Sequence, residues 1–143
     1  MMRRMKWTTL DGALMGFARD SGLNVLVAGD RTRALARRAP RSLQIGLLTP
    51  CNMACAFCYR DTSAASLLTR PYLVDLLQRA ARWGVLEVAF GGGEPLLFKG
   101  FADMIDELHR TTSLGLDFTT NGLRWNRPRS PGSSVTLAFT YTT

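Results

Sequence analysis

Between Ser42 and Thr120 the sequence alternates short apolar runs of strand character with apolar residues at helical spacing, which predicts an α/β fold on a parallel sheet. Two further observations support that class. Capping and turn residues mark each change of period, and a chemically unusual segment follows each of three strands: a cysteine-rich stretch, a glycine run and Thr-Thr-Asn-Gly. Residues 1–41 follow another pattern and are read as an N-terminal extension carrying a β-hairpin.

In that extension Gly12 to Arg19 is apolar, Asp20-Ser21-Gly22 is turn chemistry, and Leu23 to Val27 alternates, so residues 12–28 predict a hairpin. Asp30 is placed to cap a short basic helix running to Arg38, which Pro40 closes. Leu43 to Leu48 is the first strand of the core, directly followed by the cysteines. Thr69 is the expected cap of a helix from Arg70 to Trp83, with Leu73, Leu76, Leu77 and Ala80 on one stripe and Gly84 at the exit. Val85 to Phe90 is the second strand, with the run Gly91 to Pro95 after it. Phe101, Met104, Ile105 and Leu108 repeat the helical spacing, and Leu114 to Thr120 is the third strand, running into Asn121-Gly122. Beyond Gly122, two prolines and a Pro-Gly-Ser-Ser run argue against a third crossover helix, and only Val135 to Thr140 has strand character.

Such alternation calls for parallel strands joined by crossover helices, so every strand points the same way. The three unusual segments then gather at the carboxyl-end face of one sheet, where ligands bind in folds of this kind.

The chain carries 18 basic against 11 acidic groups, a net charge of +7. Residues 1–41 hold most of that excess, with 9 basic and 3 acidic groups. A basic segment attracts acidic partners, but no aromatic residues interleave its arginines, so nucleic-acid binding is disfavoured against a solvated basic face. No apolar run reaches the ~20 residues of a membrane span. Asp11 and Gly12 interrupt any signal-peptide core after the basic start, which predicts a cytoplasmic protein without a membrane partner.

Cys51, Cys55 and Cys58 are the only cysteines, and three thiols within eight residues predict metal binding in a reducing compartment rather than a disulfide framework. Their C-x3-C-x2-C spacing suits three irons of a 4Fe-4S cluster, leaving the fourth iron without a thiol. Zinc is the competing reading, but it wants four ligands and His109 is the only histidine. His109 sits in the last turn of the second helix, where an exposed, charged capping role is expected. Arg60, beside the cysteines, is expected to be a loop salt-bridge partner. Gly91 to Pro95 lacks the spacing of a phosphate loop. Consecutive glycines let a ligand approach the backbone, and Glu94 can accept hydrogen bonds from an ammonium group.

The Cys-x3-Cys-x-Phe-Cys spacing, the Gly-Gly-Glu-Pro after the second strand and the Thr-Thr-Asn-Gly after the third resemble the radical S-adenosylmethionine (radical SAM) superfamily, over about residues 42–124. The resemblance implies a partial (β/α) barrel, about half of a radical SAM (β/α)6 core, with the cluster at its mouth. It implies Cys51, Cys55 and Cys58 as ligands of the 4Fe-4S cluster and S-adenosyl-L-methionine (SAM) as second cofactor, chelating the fourth iron. Phe57 and Tyr59 would lie beside the adenine. Gly92, Gly93 and Glu94 would receive the methionine ammonium, and Thr120 and Asn121 would lie near the ribose or carboxylate. The implied activity is reductive cleavage of SAM to a 5′-deoxyadenosyl radical that abstracts hydrogen from a substrate, with an electron donor as partner. No catalytic side chain is singled out.

A complete barrel needs six strand-helix units and three are recognisable before Gly122. The expected division is a basic extension over 1–41, a truncated core over 42–124 and an atypical tail over 125–143. The change of composition after Gly122 predicts a truncated or frame-disrupted product, or a chain whose barrel is completed by a partner chain. The alternative from another class is a noncatalytic metal-binding or nucleic-acid-associating module.

Overall fold

The computed structural model describes residues 5–58, 60, 66–124 and 136–139. The chain begins with three antiparallel strands, β1 (Lys6–Leu10), β2 (Ala13–Ala18) and β3 (Leu23–Ala28), in the order β1-β2-β3. The predicted hairpin is therefore the second half of a meander. Leu10 pairs with Ala13 across the two-residue turn Asp11-Gly12, where Gly12 takes φ 77°. Asp-Gly between two β-prone runs is a strong hairpin signal, and here the glycine alone supplies the positive φ. Trp7-Thr8-Thr9 supplies the strand before it.

The helix expected from Asp30 to Arg38 does not form. Thr32 N–H bonds to Gly29 C=O and Leu35 N–H to Thr32 C=O, giving successive four-residue turns. The Thr32 hydroxyl fixes them, accepting from Gly29 N–H at 2.9 Å and donating to Gly12 C=O at 2.8 Å. Asp30 caps nothing and pairs with Arg33 at the surface. Side-chain bonds to nearby backbone have outcompeted the helical ladder.

The second sheet has the order β4-β5-β6-β7, all parallel: β4 (Ser42–Leu48), β5 (Glu87–Gly92), β6 (Gly115–Thr120) and β7 (Thr136–Phe139). Helix α1 (Arg70–Trp83) connects β4 to β5 and helix α2 (Phe101–Thr111) connects β5 to β6. Both helix spans agree with the periodicity. Thr69 occupies the N-cap position of α1 but makes no side-chain cap; its carbonyl accepts from Leu73 N–H at 3.0 Å. β5 runs two residues further than expected, so Gly91 and Gly92 belong to the strand and pair with Gly46 and Leu48.

Both helices cover one face of this sheet. Leu73, Leu77 and Ala80 of α1 and Met104, Ile105 and Leu108 of α2 bury against Val88, Phe90, Leu116 and Phe118. Phe101 stands edge-on to Phe90 and Phe118 at ring distances of 6.0 and 5.1 Å. The other face carries Glu87, Ala89 and Gly91 of β5 and Gly115, Asp117 and Thr119 of β6.

The three-stranded sheet closes the amino end of the parallel strands. Met15 and Phe17 bury with Leu86, and the Phe17 ring would lie 3.2 Å from a Cβ on Gly115. Two cations from the extension cap the helix C-termini. Lys6 Nζ donates to Ala81 C=O at 2.8 Å and Val85 C=O at 2.7 Å, while Arg19 Nη1 donates to His109 C=O at 2.9 Å and Thr112 C=O at 2.8 Å. These carbonyls carry the negative end of each helix dipole. Arg19 therefore does what His109 was expected to do. His109 is half-buried, and burial first and the Arg19 charge second lower its pKa, which disfavours the charged imidazolium. Among the described residues, no helix is long and apolar enough to cross a membrane.

Candidate functional site

The carboxyl ends of β4, β5 and β6 bring the three unusual segments together. β4 leads through Thr49-Pro50 into the cysteines, and the glycine run at the end of β5 is laced to that lead-in by its backbone. Gly93 N–H donates to Leu48 C=O at 2.5 Å and Glu94 N–H to Pro50 C=O at 3.0 Å. The approach is so close that side chains are excluded. A Cβ on Gly92, which has φ 97°, would lie 2.7 Å from Leu48 O, and one on Gly93 would lie 1.8 Å from Pro50 O. At Gly92 and Gly93 the space that a Cβ would need is taken by the chain's own carbonyls. Only Gly91, on the uncovered sheet face, has open space at its Cβ position.

Glu94 is the best buried charged group among the described residues, 1% exposed. Its Oε1 accepts from Thr120 Oγ1 at 2.6 Å and Leu96 N–H at 3.1 Å, and its Oε2 from Asn121 N–H at 2.8 Å. The carboxylate thus fastens the end of β5 to the end of β6 and caps the one-turn 3-10 helix Pro95–Leu97. Charge-assisted bonds of this kind are what allow a carboxylate to be buried.

Asn121 then reaches back to the cysteine segment. Its Nδ2 donates to Asn52 Oδ1 at 2.8 Å and lies 3.7 Å from Cys51 Sγ. Cys58 N–H bonds to Cys55 C=O at 3.0 Å, making a tight turn between the last two thiols. All three cysteines are free; Cys51 and Cys55 are half-buried and Cys58 is exposed. Phe57 is 66% exposed on the same loop. Tyr59 lies outside the described residues. Arg60 makes no salt bridge among the described residues; its Nη1 donates to Gly92 C=O at 3.0 Å.

The geometry thus joins the cysteines, Gly92 to Glu94, Thr120 and Asn121 at one end of the sheet. Asn52 was missed by the sequence reading, although an amide inside the cysteine spacing was a visible signal. The donor set suits an iron-sulfur cluster. Three thiols lie on one loop, the last two joined by a tight turn and the first beside an amide, and in a cube each thiolate takes a different iron. A tetrahedral zinc site would want a fourth ligand beside the three thiols.

Fold and site together define an α/β protein that presents a three-thiol segment at the carboxyl end of a parallel sheet. The profile of the radical SAM superfamily matches residues 47–130, more than half of the chain, and the chain belongs to that superfamily, a family of enzymes. It is 29% identical over 89 residues to a probable GTP 3′,8-cyclase of Methanocaldococcus jannaschii, covering 60% of this chain and 30% of that protein. It is 48% identical over 61 residues to the 7-carboxy-7-deazaguanine synthase of Rhodopirellula baltica, covering 41% of this chain and 23% of that one. Among solved structures it resembles Streptococcus suis SuiB bound to S-adenosylmethionine, with a TM-score of 0.54 at 22% identity, covering 64% of this chain and 20% of SuiB. That likeness shows the fold. The chain spans between about a fifth and a third of the length of these proteins.

Proposed function

We propose that this chain is the cofactor-binding part of a radical SAM enzyme, about half of a (β/α)6 barrel. Cys51, Cys55 and Cys58 hold a 4Fe-4S cluster, and its fourth iron is left for the amino and carboxylate groups of SAM. When bound, the reduced cluster supplies the electron that splits SAM into methionine and a 5′-deoxyadenosyl radical, which abstracts hydrogen from the substrate. The observation that carries this reading is the lacing of the cysteine segment, the glycine run and Thr120-Asn121 into one site.

The chain's own part is orientation. Gly92, Gly93 and Glu94 form the segment that receives the methionine ammonium, and the Glu94 carboxylate keeps that segment in register with Thr120 and Asn121 near the ribose or carboxylate. Phe57 and Tyr59 flank the adenine. The exposed ring of Phe57 leaves a flat apolar surface free for it. An electron donor, and a partner chain or further segment that completes the barrel around the substrate, are part of the proposal.

Anaerobic reconstitution with iron and sulfide tests it. The expected result is about four irons per chain and a change in the spectrum of the reduced cluster when SAM is added. A single zinc and an unchanged spectrum would defeat it. Formation of 5′-deoxyadenosine under reductant separates an active chain from one that only binds.

A further inference from the structure

Asn121 stands directly after β6, and the chain engages each polar atom of its side chain. Oδ1 accepts from Leu123 N–H at 3.0 Å, while Nδ2 donates to Asn52 Oδ1 at 2.8 Å and lies 3.7 Å from Cys51 Sγ. The bond from Leu123 fixes the sense of the amide, because a backbone N–H demands the carbonyl oxygen and so leaves the NH2 group facing the cysteine segment. Of its two protons, one goes to Asn52 and the other is left for the sulfur. The backbone is held as well, with Asn121 N–H donating to the buried Glu94 carboxylate at 2.8 Å. Glu94 and Leu123 hold Asn121 through bonds that involve no cysteine, so the place of the donor is set independently of the thiols.

A thiolate that ligates iron shares the negative charge of its cluster, and reduction adds one electron to that charge. An N–H aimed at the sulfur stabilises the more negative state more strongly. Hydrogen bonds to the sulfurs are accordingly among the factors that set the potentials of such clusters. We propose that Asn121 is a positioning residue for the cluster, whose side-chain N–H bonds to the Cys51 thiolate and makes the cluster easier to reduce. The electron comes from the external reductant, and no proton leaves the amide. This rests on the reading that Cys51, Cys55 and Cys58 hold a 4Fe-4S cluster and adds the side chain that tunes it. An amide suits the task because it donates without titrating, so the bond does not come and go with pH.

The test is a potentiometric titration of the anaerobically reconstituted full chain in the absence of SAM, with dithionite as the electron source and the spectrum of the reduced cluster as the signal. Iron content serves as the control for intact loading. Asn121→Ala should make reduction about tenfold less favourable, a downward shift of about 59 mV for one electron. Asn121→Asp keeps an acceptor for Leu123 N–H but turns a negative oxygen towards the sulfur. It should lower the potential further than alanine does, and it carries the comparison if the alanine variant loads iron poorly. Loss of iron in both variants, or an unchanged potential in the loaded fraction, would reduce Asn121 to a prop for the loop and overturn the proposal, as would an upward shift. A wild-type chain that takes up no 4Fe-4S cluster would instead overturn the cluster reading itself, and this inference with it.

Discussion

At the amino end of the parallel sheet, Phe17 and Met15 close over Leu86 and Gly115, and Lys6 and Arg19 satisfy the last carbonyls of both helices. At the carboxyl end the contacts are of another kind: backbone to backbone at Gly93 and Glu94, one buried carboxylate with three donors, and thiols that form no disulfide. The base is apolar packing plus capped dipoles, which stabilises a fold. The rim is polar and glycine-rich, which suits the ligand site proposed above. The difference teaches that stability and ligand loading should be separable by mutation at opposite ends of the same strands.

The largest effect is expected at the rim. Cys55→Ala should abolish cluster assembly, with iron falling from about four per chain to background, while the thermal transition of the apo-protein stays where it was. His109→Ala, at the base, should load iron normally. The next largest belongs to packing. Phe17→Ala should cost about 3–5 kcal/mol, as truncation of a buried aromatic does, read by urea denaturation with iron loading retained in the folded fraction. If loading fails in proportion to the cysteine variant instead, the two ends are not independent.

Glu94→Ala blurs the division, because it strands the Thr120 hydroxyl and the Asn121 N–H together. A loss of about 2–4 kcal/mol in denaturation is expected, each stranded group counting for 1–2. SAM affinity should fall as well, and Glu94→Gln should recover part of both. Lys6→Met leaves the carbonyls of Ala81 and Val85 without their cation and should cost about 1–3 kcal/mol in the same assay, with iron content unaffected.

The smallest effect is a gain. Asp117 lines a cavity of about 350 Å3 together with Glu87, Arg19 and Phe17 at the base. Burial first, and the Glu87 carboxylate second, raise its pKa above 3.8. A raised folded-state pKa means that stability is intact below the unfolded value and is lost as pH rises through the folded one. Asp117→Asn should therefore stabilise the protein at neutral pH, by less than about 1 kcal/mol given its exposure to solvent. The advantage should vanish as the pH is lowered towards 3.8, the unshifted value. A constant advantage across that range would mean that the charge is not its source.

The rim was legible in the sequence because chemistry concentrated there in short motifs. The cysteines, the glycine run and Thr-Thr-Asn-Gly each followed a strand, and parallel topology alone brings such segments together. The helices were legible for the same reason of period, with Leu73, Leu77 and Ala80 on one stripe. The base was not. That β1 pairs with β2 depends on reading Asp11-Gly12 as a turn rather than as a break in an apolar run. That Arg19 and not His109 caps α2 depends on contacts across some 90 positions, which no local pattern encodes. The failed helix after Asp30 shows the converse: its composition permitted a helix, and one threonine hydroxyl with bonds to Gly12 and Gly29 decided otherwise. At the rim, the motif named Glu94 without revealing that its carboxylate serves the chain first.

That carboxylate carries the pairing of β5 and β6 past its last registered pair, Phe90 with Phe118. Asn121 extends the tie, bonding to Asn52 at 2.8 Å and lying 3.7 Å from the Cys51 thiol. In the proposed reading, the glycine segment and the thiols that would hold the cluster share one hydrogen-bonded connection, which a substitution at position 94 would cut.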